Sequence, residues 1–140
     1  MRLLKNYPLT ILTLIAVFYL SLFTPPDIPE LQEIRFIDKW THLCMYGGLS
    51  LVIFYEHFKQ HGMQGMRLKT VKAETLDWKF LSIVTFWFPF LLGGAIEIIQ
   101  ENCTGGRRGG DWIDWVADGL GSLIAFLIVK AMIANCKRSN

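Results

Sequence analysis

The sequence predicts an all-α membrane protein, a compact bundle of four transmembrane helices with both termini in the cytoplasm. Three observations lead to this prediction. Of the 140 residues, 52% are hydrophobic and 19% are charged, and the mean hydropathy is +0.34, which is too apolar for an ordinary soluble domain. Four apolar stretches each approach the roughly 20 residues that a helix needs to cross hydrocarbon. The lysines and arginines lie mainly in alternate connections.

The first predicted span, at about 7–24, follows the basic residues Arg2 and Lys5 and therefore looks like a secretory signal peptide. It ends in Phe23-Thr24-Pro25-Pro26 rather than in small residues at alternate positions, and further apolar stretches follow it. We therefore interpret this stretch as an uncleaved first membrane helix.

The other three predicted spans cover about 40–58, 80–100 and 112–134, so that residues 1–140 form one membrane domain. A soluble all-α domain is the alternative, but the run 80–92 offers no polar face to water. Ten lysines and arginines fall on the side of the termini and four on the other side. This asymmetry places both termini in the cytoplasm of a bacterium and directs segments 24–39 and 101–111 outward.

Composition also limits the partners and cofactors. The net charge of +2 gives no reason to expect nucleic acid, so membrane lipids are the predicted partners. Three distant cysteines lack the close pairing of a zinc site or a disulfide framework, and no metal or cofactor is predicted. Several tryptophans lie at predicted membrane boundaries, as in aromatic belts, and are assigned no chemistry: Trp40, Trp78, Trp112 and Trp115.

Most of the remaining ionisable residues lie near the outer ends of the second, third and fourth spans, and we call this predicted site the polar cluster. Helical spacing puts Lys39, His42 and Tyr46 on one face of the second helix, with Asp38 one turn from His42. The glycine pair 47–48 allows a neighbouring helix to approach closely. The polar cluster comprises Asp38, Lys39, His42, Tyr46, Glu97, Gln100, Arg107, Arg108, Asp111, Asp114 and Asp118.

Carboxylates inside the predicted spans are the most informative members of the polar cluster. Glu97 lies about one turn inside the third span, where an ionised carboxylate is costly unless it is paired. Asp111, Asp114 and Asp118 form one stripe of the fourth helix and repel one another, unless the first is solvated, a cation binds or nearby bases compensate. Asp111 also suits the N-cap of the fourth helix.

Three motifs follow one another along these spans: Asp38-Lys39-x-x-His42-x-x-x-Tyr46, then Glu97-x-x-Gln100, then a Gly-Arg-rich segment that ends in Asp114 and is followed by Gly119-x-Gly121. In this order they resemble the VanZ-like family of small bacterial integral membrane proteins, over about Ile37 to Ile128. The resemblance implies that Arg108 is the family's arginine, with Arg107 as the adjacent alternative. Four residues after the motif aspartate, where the family typically carries asparagine, this sequence has Asp118.

The resemblance implies a role in the cell envelope, and the founding members are associated with resistance to teicoplanin-type glycopeptide antibiotics. Our leading hypothesis is an outward-facing pocket that binds an anionic envelope lipid or cell-wall precursor. Lys39, Arg107 and Arg108 would hold its phosphate or carboxylate oxygens, while His42 and the acids orient these bases.

Two alternatives belong to other functional classes. The first is an enzyme acting on a phosphoryl or acyl group of an envelope lipid, with His42 and Glu97 as candidate catalytic base and acid. A divalent cation held by Asp111, Asp114 and Asp118 is one form of this alternative. The second is a purely structural bundle in which ion pairs fix the register of the helices. A proton-coupled transporter has less support, because the sequence shows no internal repeat.

Overall fold

The computed structural model of the chain describes residues 6–22, 36–60, 77–103 and 110–138. Within these ranges every regular element is a helix, and the predicted all-α class is confirmed. The helices are α1 (Pro8–Leu22), α2 (Ile37–Gln60), α3 (Trp78–Cys103) and α4 (Trp112–Arg138). Each predicted apolar stretch thus forms one helix, with ends within a few residues of those expected from the sequence.

Consecutive helices run in opposite directions, as contacts at the two ends of the bundle show. Gln100, near the end of α3, donates from Nε2 to the backbone oxygen of Ser21 at the end of α1, over 2.7 Å. At the other end, Glu56 in the last turns of α2 accepts hydrogen bonds from the start of α1. We call the end at which α2 and α4 begin the polar end, because it carries most of the polar cluster.

The start of α1 is held by a buried carboxylate of α2. Pro8 suits the first position of a helix, since it has no N–H and its φ is fixed near the helical value. The next two N–H groups, of Leu9 and Thr10, each donate to an oxygen of Glu56 over 2.8 Å. Glu56 is not among the predicted site residues, although its carboxylate lies inside the predicted span 40–58, where an ionisable side chain indicates a functional or structural role.

Helix α3 changes its winding in the middle. It is α-helical over Trp78–Ser82, π-helical over Ile83–Trp87 and α-helical again over Phe88–Cys103. The N–H of Phe88 donates to the oxygen of Ile83, five residues back. The π turn lies directly before Pro89, which has no N–H to donate to the Thr85 oxygen and whose ring would crowd that oxygen in a regular helix.

Helices α2 and α4 form the most extensive interface, and glycines bring their backbones together. A β-carbon on Gly47 would lie 3.2 Å from the backbone oxygen of Gly121. A β-carbon on Gly121 would overlap the backbone oxygen of Leu43. The close approach expected at the glycine pair therefore occurs at Gly47, whereas a β-carbon on Gly48 would meet nothing within 4 Å.

The apolar core is small, and much of the apolar surface faces outward. In the described ranges, buried apolar side chains form two clusters, one of Leu81, Val129 and Ile133 and one of Val17, Tyr46 and Ile96. Two helices of the described chain, Trp78–Cys103 and Trp112–Asn135, could cross a membrane by length and composition, while α1 is apolar but shorter. Helix α2 is 24 residues long but carries charged residues near both ends. Crossing by all four helices remains a prediction.

Candidate functional site

The polar end brings together side chains from α2, α3 and the start of α4. Lys39, His42 and Tyr46 share one face of α2, because residues three and four positions apart lie on the same side of a helix. Lys39 and His42 contact the aspartates at the start of α4, whereas Tyr46 packs with α1 and α3. Asp111, Asp114 and Asp118 approach this face from the other side. The shared face of α2 and the acidic stripe of α4 that the sequence predicts therefore meet each other.

The outer part of the polar cluster centres on Lys39. Its Nζ lies 2.6 Å from Asp111 Oδ2, 2.5 Å from Asp114 Oδ1 and 3.7 Å from Asp38 Oδ2. Desolvation lowers the pKa of the Lys39 ammonium, but its hydrogen bonds to Asp111 and Asp114 outweigh this effect and raise that pKa above its usual 10.5. The same hydrogen bond lowers the pKa of Asp111 below its usual 3.8. Both groups are therefore charged at neutral pH.

Asp111 also organises the backbone where α4 begins. Its Oδ1 accepts a hydrogen bond from the N–H of Ile113 over 2.9 Å, which is the N-cap arrangement expected from the sequence. Its own N–H donates to Glu97 Oε2 over 2.8 Å, and the N–H of Gly110 donates to Glu101 Oε2 over 2.9 Å. Two carboxylates of α3 thus bind the backbone that leads into α4.

The inner part of the polar cluster consists of His42, Glu97 and Asp118, from three different helices. His42 Nδ1 lies 2.9 Å from Asp118 Oδ1 and 3.9 Å from Glu97 Oε1. The exposed fractions of the three residues are 3%, 7% and 0%. Among the residues described, Glu97 Oε1 and Asp118 Oδ2 are buried without a hydrogen-bond partner. Burying an oxygen without a hydrogen bond lowers the stability of a folded protein, and few such atoms occur in native structures.

Tyr46 lies beside this inner group. Its ring stacks on the imidazole of His42 with the centroids 6.4 Å apart. Its hydroxyl is buried and has no hydrogen-bond partner in the described part of the chain. Tyr46 therefore belongs to the core and to the polar cluster at once, since the same ring packs with Val17 and Ile96.

The described part of the polar cluster is acidic. It holds five carboxylates, on Asp38, Glu97, Asp111, Asp114 and Asp118, against the two basic side chains Lys39 and His42. Among the side chains that the structure describes, two groups place nitrogen and oxygen atoms close enough to hold one metal ion: Asp38, His42 and Asp114, and His42, Glu97 and Asp118. The three aspartates of α4 divide between two bases, since Asp111 and Asp114 contact Lys39 and Asp118 contacts His42.

The structure describes one of the three remaining predicted members of the polar cluster, Gln100, and does not describe the other two, Arg107 and Arg108. Gln100 is buried and donates from Nε2 to Ser21 of α1, so that contact links α3 to α1. Arg107 and Arg108 lie in the segment 104–109, outside the described residues. Their part in the site remains a prediction from the sequence.

A groove of about 610 Å³ opens between the C-terminal half of α3 and the start of α4. Its walls are mainly apolar, with Leu91 and Ile98 on α3 and Trp115 on α4, and Glu97 and Glu101 lie at its polar end. The indole N–H of Trp115 donates to the Phe90 oxygen over 2.9 Å, and the two rings stack 4.8 Å apart. Sequence reasoning assigns the tryptophans of α4 only to the membrane boundary, because the groove depends on how two helices pack.

The sequence matches no protein-family model, and comparison with curated proteins and with solved structures gives no match. The resemblance to VanZ-like proteins therefore rests on the sequence motifs alone and stays a prediction.

Proposed function

We propose that this chain is a multi-pass protein of the bacterial cytoplasmic membrane, with four membrane-crossing helices, both termini in the cytoplasm and the polar end facing outward. The distribution of apolar side chains supports this. Leu12 on α1 and Leu91 and Ile98 on α3 expose 64%, 61% and 66% of their surface, and α4 exposes a comparable apolar face. Monomeric soluble proteins rarely expose contiguous apolar faces of this kind, whereas lipid chains would cover them.

The proposed function is binding of an anionic envelope lipid or cell-wall precursor at the polar end. The groove between α3 and α4 is the observation that carries this proposal. It is apolar along its walls and polar at one end, as an amphiphilic ligand requires, and its volume of about 610 Å³ lies within the range of ligand sites, about 300–1,000 Å³. An acyl or isoprenoid chain would lie along Ile98 and Trp115, and the anionic group would extend beyond Glu97 toward Lys39.

The acidic surplus of the described cluster limits how an anionic group could be held. A phosphate would lie near Lys39 and would compete there with Asp111 and Asp114. Arg107 and Arg108 are the further bases that the sequence predicts, and a guanidinium binds phosphate oxygens in a bidentate manner. The proposed link to teicoplanin-type glycopeptide resistance is based only on the resemblance to VanZ-like proteins.

Filling the groove tests the proposal. Ala95 lines it and is exposed, so Ala95→Phe should occupy the groove without touching the polar cluster. Native mass spectrometry would compare the variants in nanodiscs of phosphatidylglycerol and of phosphatidylcholine. We expect the wild type to retain phosphatidylglycerol preferentially, and Ala95→Phe to weaken that binding roughly tenfold, or about 1.4 kcal/mol.

Ile124→Phe is the matched control, because Ile124 is an exposed apolar residue of α4 that does not line the groove. It should retain lipid as the wild type does. Equal retention by Ala95→Phe and the wild type would contradict binding in the groove. Equal retention of the two lipids by the wild type would contradict selectivity for an anion. Arg108→Ala should weaken binding of phosphatidylglycerol without unfolding the protein.

An enzyme acting on a phosphoryl or acyl group is the second candidate. It is favoured by the His42–Asp118 pair, with Nδ1 and Oδ1 2.9 Å apart, next to Glu97, which lines the groove. A carboxylate that orients a histidine is a recurrent arrangement in general acid–base catalysis. Turnover of radiolabelled envelope lipids by the wild type and its loss in Asp118→Ala would support this candidate. Absence of any product from a broad lipid panel would exclude it.

A purely structural role is the third candidate, because the pairs Lys39–Asp111 and His42–Asp118 both join α2 to α4. In that case Ala95→Phe would leave every cellular phenotype unchanged. Cellular function would be lost only in variants that destabilise the α2–α4 interface.

A further inference from the structure

Three buried side chains from three helices converge near the polar end: His42 from α2, Glu97 from α3 and Asp118 from α4. One nitrogen or oxygen atom from each lies within 4.8 Å of those of the other two. Ligands of one zinc ion, at about 2.0–2.2 Å from it, lie about 3.3 Å apart in a tetrahedral site. The distances from His42 Nδ1, 2.9 Å to Asp118 Oδ1 and 3.9 Å to Glu97 Oε1, lie on either side of that spacing.

The carboxylate of Glu97 is oriented as a metal ligand would be. Its Oε2 accepts a hydrogen bond from the N–H of Asp111 over 2.8 Å, which fixes the group. Its Oε1 is directed toward His42 and, within the described residues, has no hydrogen-bond partner, although the side chain is more than nine-tenths buried. Metal-binding carboxylates typically use one oxygen for the ion and the other for such a supporting hydrogen bond.

In the carboxylate of Asp118, one oxygen has a partner and the other has none among the described residues. Its Oδ1 contacts His42, while its Oδ2 is fully buried without a hydrogen-bond partner in the described ranges. A β-carbon on Gly93 would overlap this second oxygen, so a glycine on α3 makes room for the carboxylate. Because Glu97 Oε1 and Asp118 Oδ2 are both buried, water does not solvate these carboxylates as it does carboxylates at a protein surface.

Within the described residues, this inner group holds two carboxylates, on Glu97 and Asp118, against one base, His42. The ammonium of Lys39 contacts Asp111 and Asp114 instead. Two ionised carboxylates buried beside one imidazole lose their hydration without full compensation, unless a proton or a cation neutralises them. A divalent ion bound by both side chains would neutralise the two carboxylates and give Glu97 Oε1 a partner.

The second possible metal-binding group, Asp38, His42 and Asp114, fits less well. Asp38 is exposed, with 56% of its side chain accessible, and Asp114 is held by Lys39. A cation there would have to displace the ammonium of Lys39. The inner group therefore offers the better ligand set.

We infer that His42, Glu97 and Asp118 bind one divalent transition-metal ion, with an imidazole nitrogen and two carboxylate oxygens as its ligands. The nitrogen ligand favours ions such as Zn²⁺, Fe²⁺ or Ni²⁺ over Mg²⁺ and Ca²⁺, which prefer oxygen ligands throughout. Glu97 also lines the groove between α3 and α4, which provides a route by which the ion reaches the site. The inference concerns the ion alone and does not rest on the proposed lipid ligand.

Metal content measures this binding directly. The full chain would be purified in detergent, treated with EDTA, dialysed against ZnCl₂ and analysed by inductively coupled plasma mass spectrometry. We expect about one zinc per chain, a higher thermal midpoint with zinc and little response to MgCl₂ or CaCl₂. Loss of a hydrogen bond that only supports a metal ligand weakens binding about 10- to 100-fold. Glu97→Gln and Asp118→Asn each alter a ligand itself, so each should weaken zinc binding by more than about 100-fold.

Two controls separate this site from other sources of zinc. Asp38→Asn should bind zinc as the wild type does, since Asp38 belongs only to the alternative group. Glu56→Gln alters a buried carboxylate at the other end of α2 and should leave zinc binding unchanged. Folding of each variant would be checked by circular dichroism. If Asp118→Asn does not fold, Glu97→Gln and the zinc content of the wild type still decide the question.

Three results would overturn the inference. One is a wild-type zinc content equal to that of protein-free detergent, with no thermal shift. Another is stoichiometric zinc that survives both Glu97→Gln and Asp118→Asn, which would indicate binding at surface cysteines or histidines. The third is loss of zinc in Asp38→Asn with retention in Glu97→Gln, which would assign the ion to the alternative group.

Discussion

Gly121 of α4 lies so close to Leu43 of α2 that a β-carbon on residue 121 would overlap the Leu43 backbone oxygen. Backbone atoms cannot move aside as the end of a flexible side chain can, so Gly121→Ala should force the two helices apart. We expect a loss of about 1–3 kcal/mol in the free energy of unfolding, the usual cost of overpacking. Unfolding by denaturant titration in detergent micelles would measure it.

Gly48→Ala is the matched control for this substitution. A β-carbon there would meet nothing within 4 Å, and alanine favours a helix over glycine by about 0.5–1 kcal/mol. Gly48→Ala should therefore leave stability unchanged or raise it. Equal destabilisation by both variants would show that close approach of α2 and α4 does not cause the effect.

Glu56 should contribute strongly to the attachment of α1. Glu56→Ala would leave the N–H groups of Leu9 and Thr10 without their acceptor, and hydrogen bonds to a charged group are worth about 1.5–3 kcal/mol each. We expect faster amide exchange at these two residues and a loss of several kcal/mol. Hydrogen–deuterium exchange of the purified protein would show it.

Glu56→Gln separates the charge from the shape of this side chain. Its amide oxygen can still accept one of the two hydrogen bonds, so the effect on exchange should lie between those of the wild type and Glu56→Ala. Protection of α1 in Glu56→Ala equal to that in the wild type would mean that other contacts hold this helix.

The Lys39–Asp111 pair should make stability depend on pH in the acid range. The pKa of Asp111 is lowered in the folded protein, so its contribution is complete above its usual 3.8 and is lost as the pH falls through the folded pKa. The pKa of Lys39 is raised, so its contribution is complete below 10.5 and is lost only as the pH rises beyond that value. Between these limits the pair should be insensitive to pH.

Asp111→Asn tests this acid dependence, because asparagine can still accept the capping hydrogen bond from Ile113. Stability measured from about pH 5 to about pH 3 should fall less steeply in the variant. The difference should be about 1 kcal/mol or less, since the pair is partly exposed and screened by solvent. Parallel curves for the two proteins would refute the assignment.

Trp115 should hold one wall of the groove through its indole N–H. Trp115→Phe keeps an aromatic ring against Phe90 but loses the hydrogen bond to the Phe90 oxygen, worth about 0.5–1.5 kcal/mol. The thermal midpoint should fall accordingly. Trp112→Phe is the control, since Trp112 lines the same groove but is 72% exposed. A larger effect at Trp112 than at Trp115 would contradict this role.

Local helix geometry makes part of the site predictable. Residues three and four positions apart share a face whatever the helix packs against, so the grouping of Lys39, His42 and Tyr46 follows from the sequence. The cap formed by Asp111 is also local, because it involves an N–H only two residues away. The four apolar stretches predict the four helices for the same reason.

Contacts between distant segments cannot be predicted from local helix geometry. The hydrogen bond from Thr10 to Glu56 joins residues 46 positions apart, and nothing in either segment alone indicates its partner. Glu97 could be expected to need a partner, but the identity of that partner depends on how α3 packs against α2 and α4. The groove depends on the same packing, in which a β-carbon on Gly94 would come within 2.9 Å of the Trp115 indole nitrogen.

The π turn at Ile83–Trp87 has a consequence for the register of α3. A single π turn accommodates one residue more than an α-helical turn, and one residue corresponds to about 100° of rotation around the helix axis. Leu81 before the turn packs against α4, and Glu97 after it reaches His42 and the start of α4. Deleting one residue within Ile83–Trp87 should let the helix wind regularly there and keep both side chains facing the bundle, whereas regular winding with all residues retained would turn one of them away.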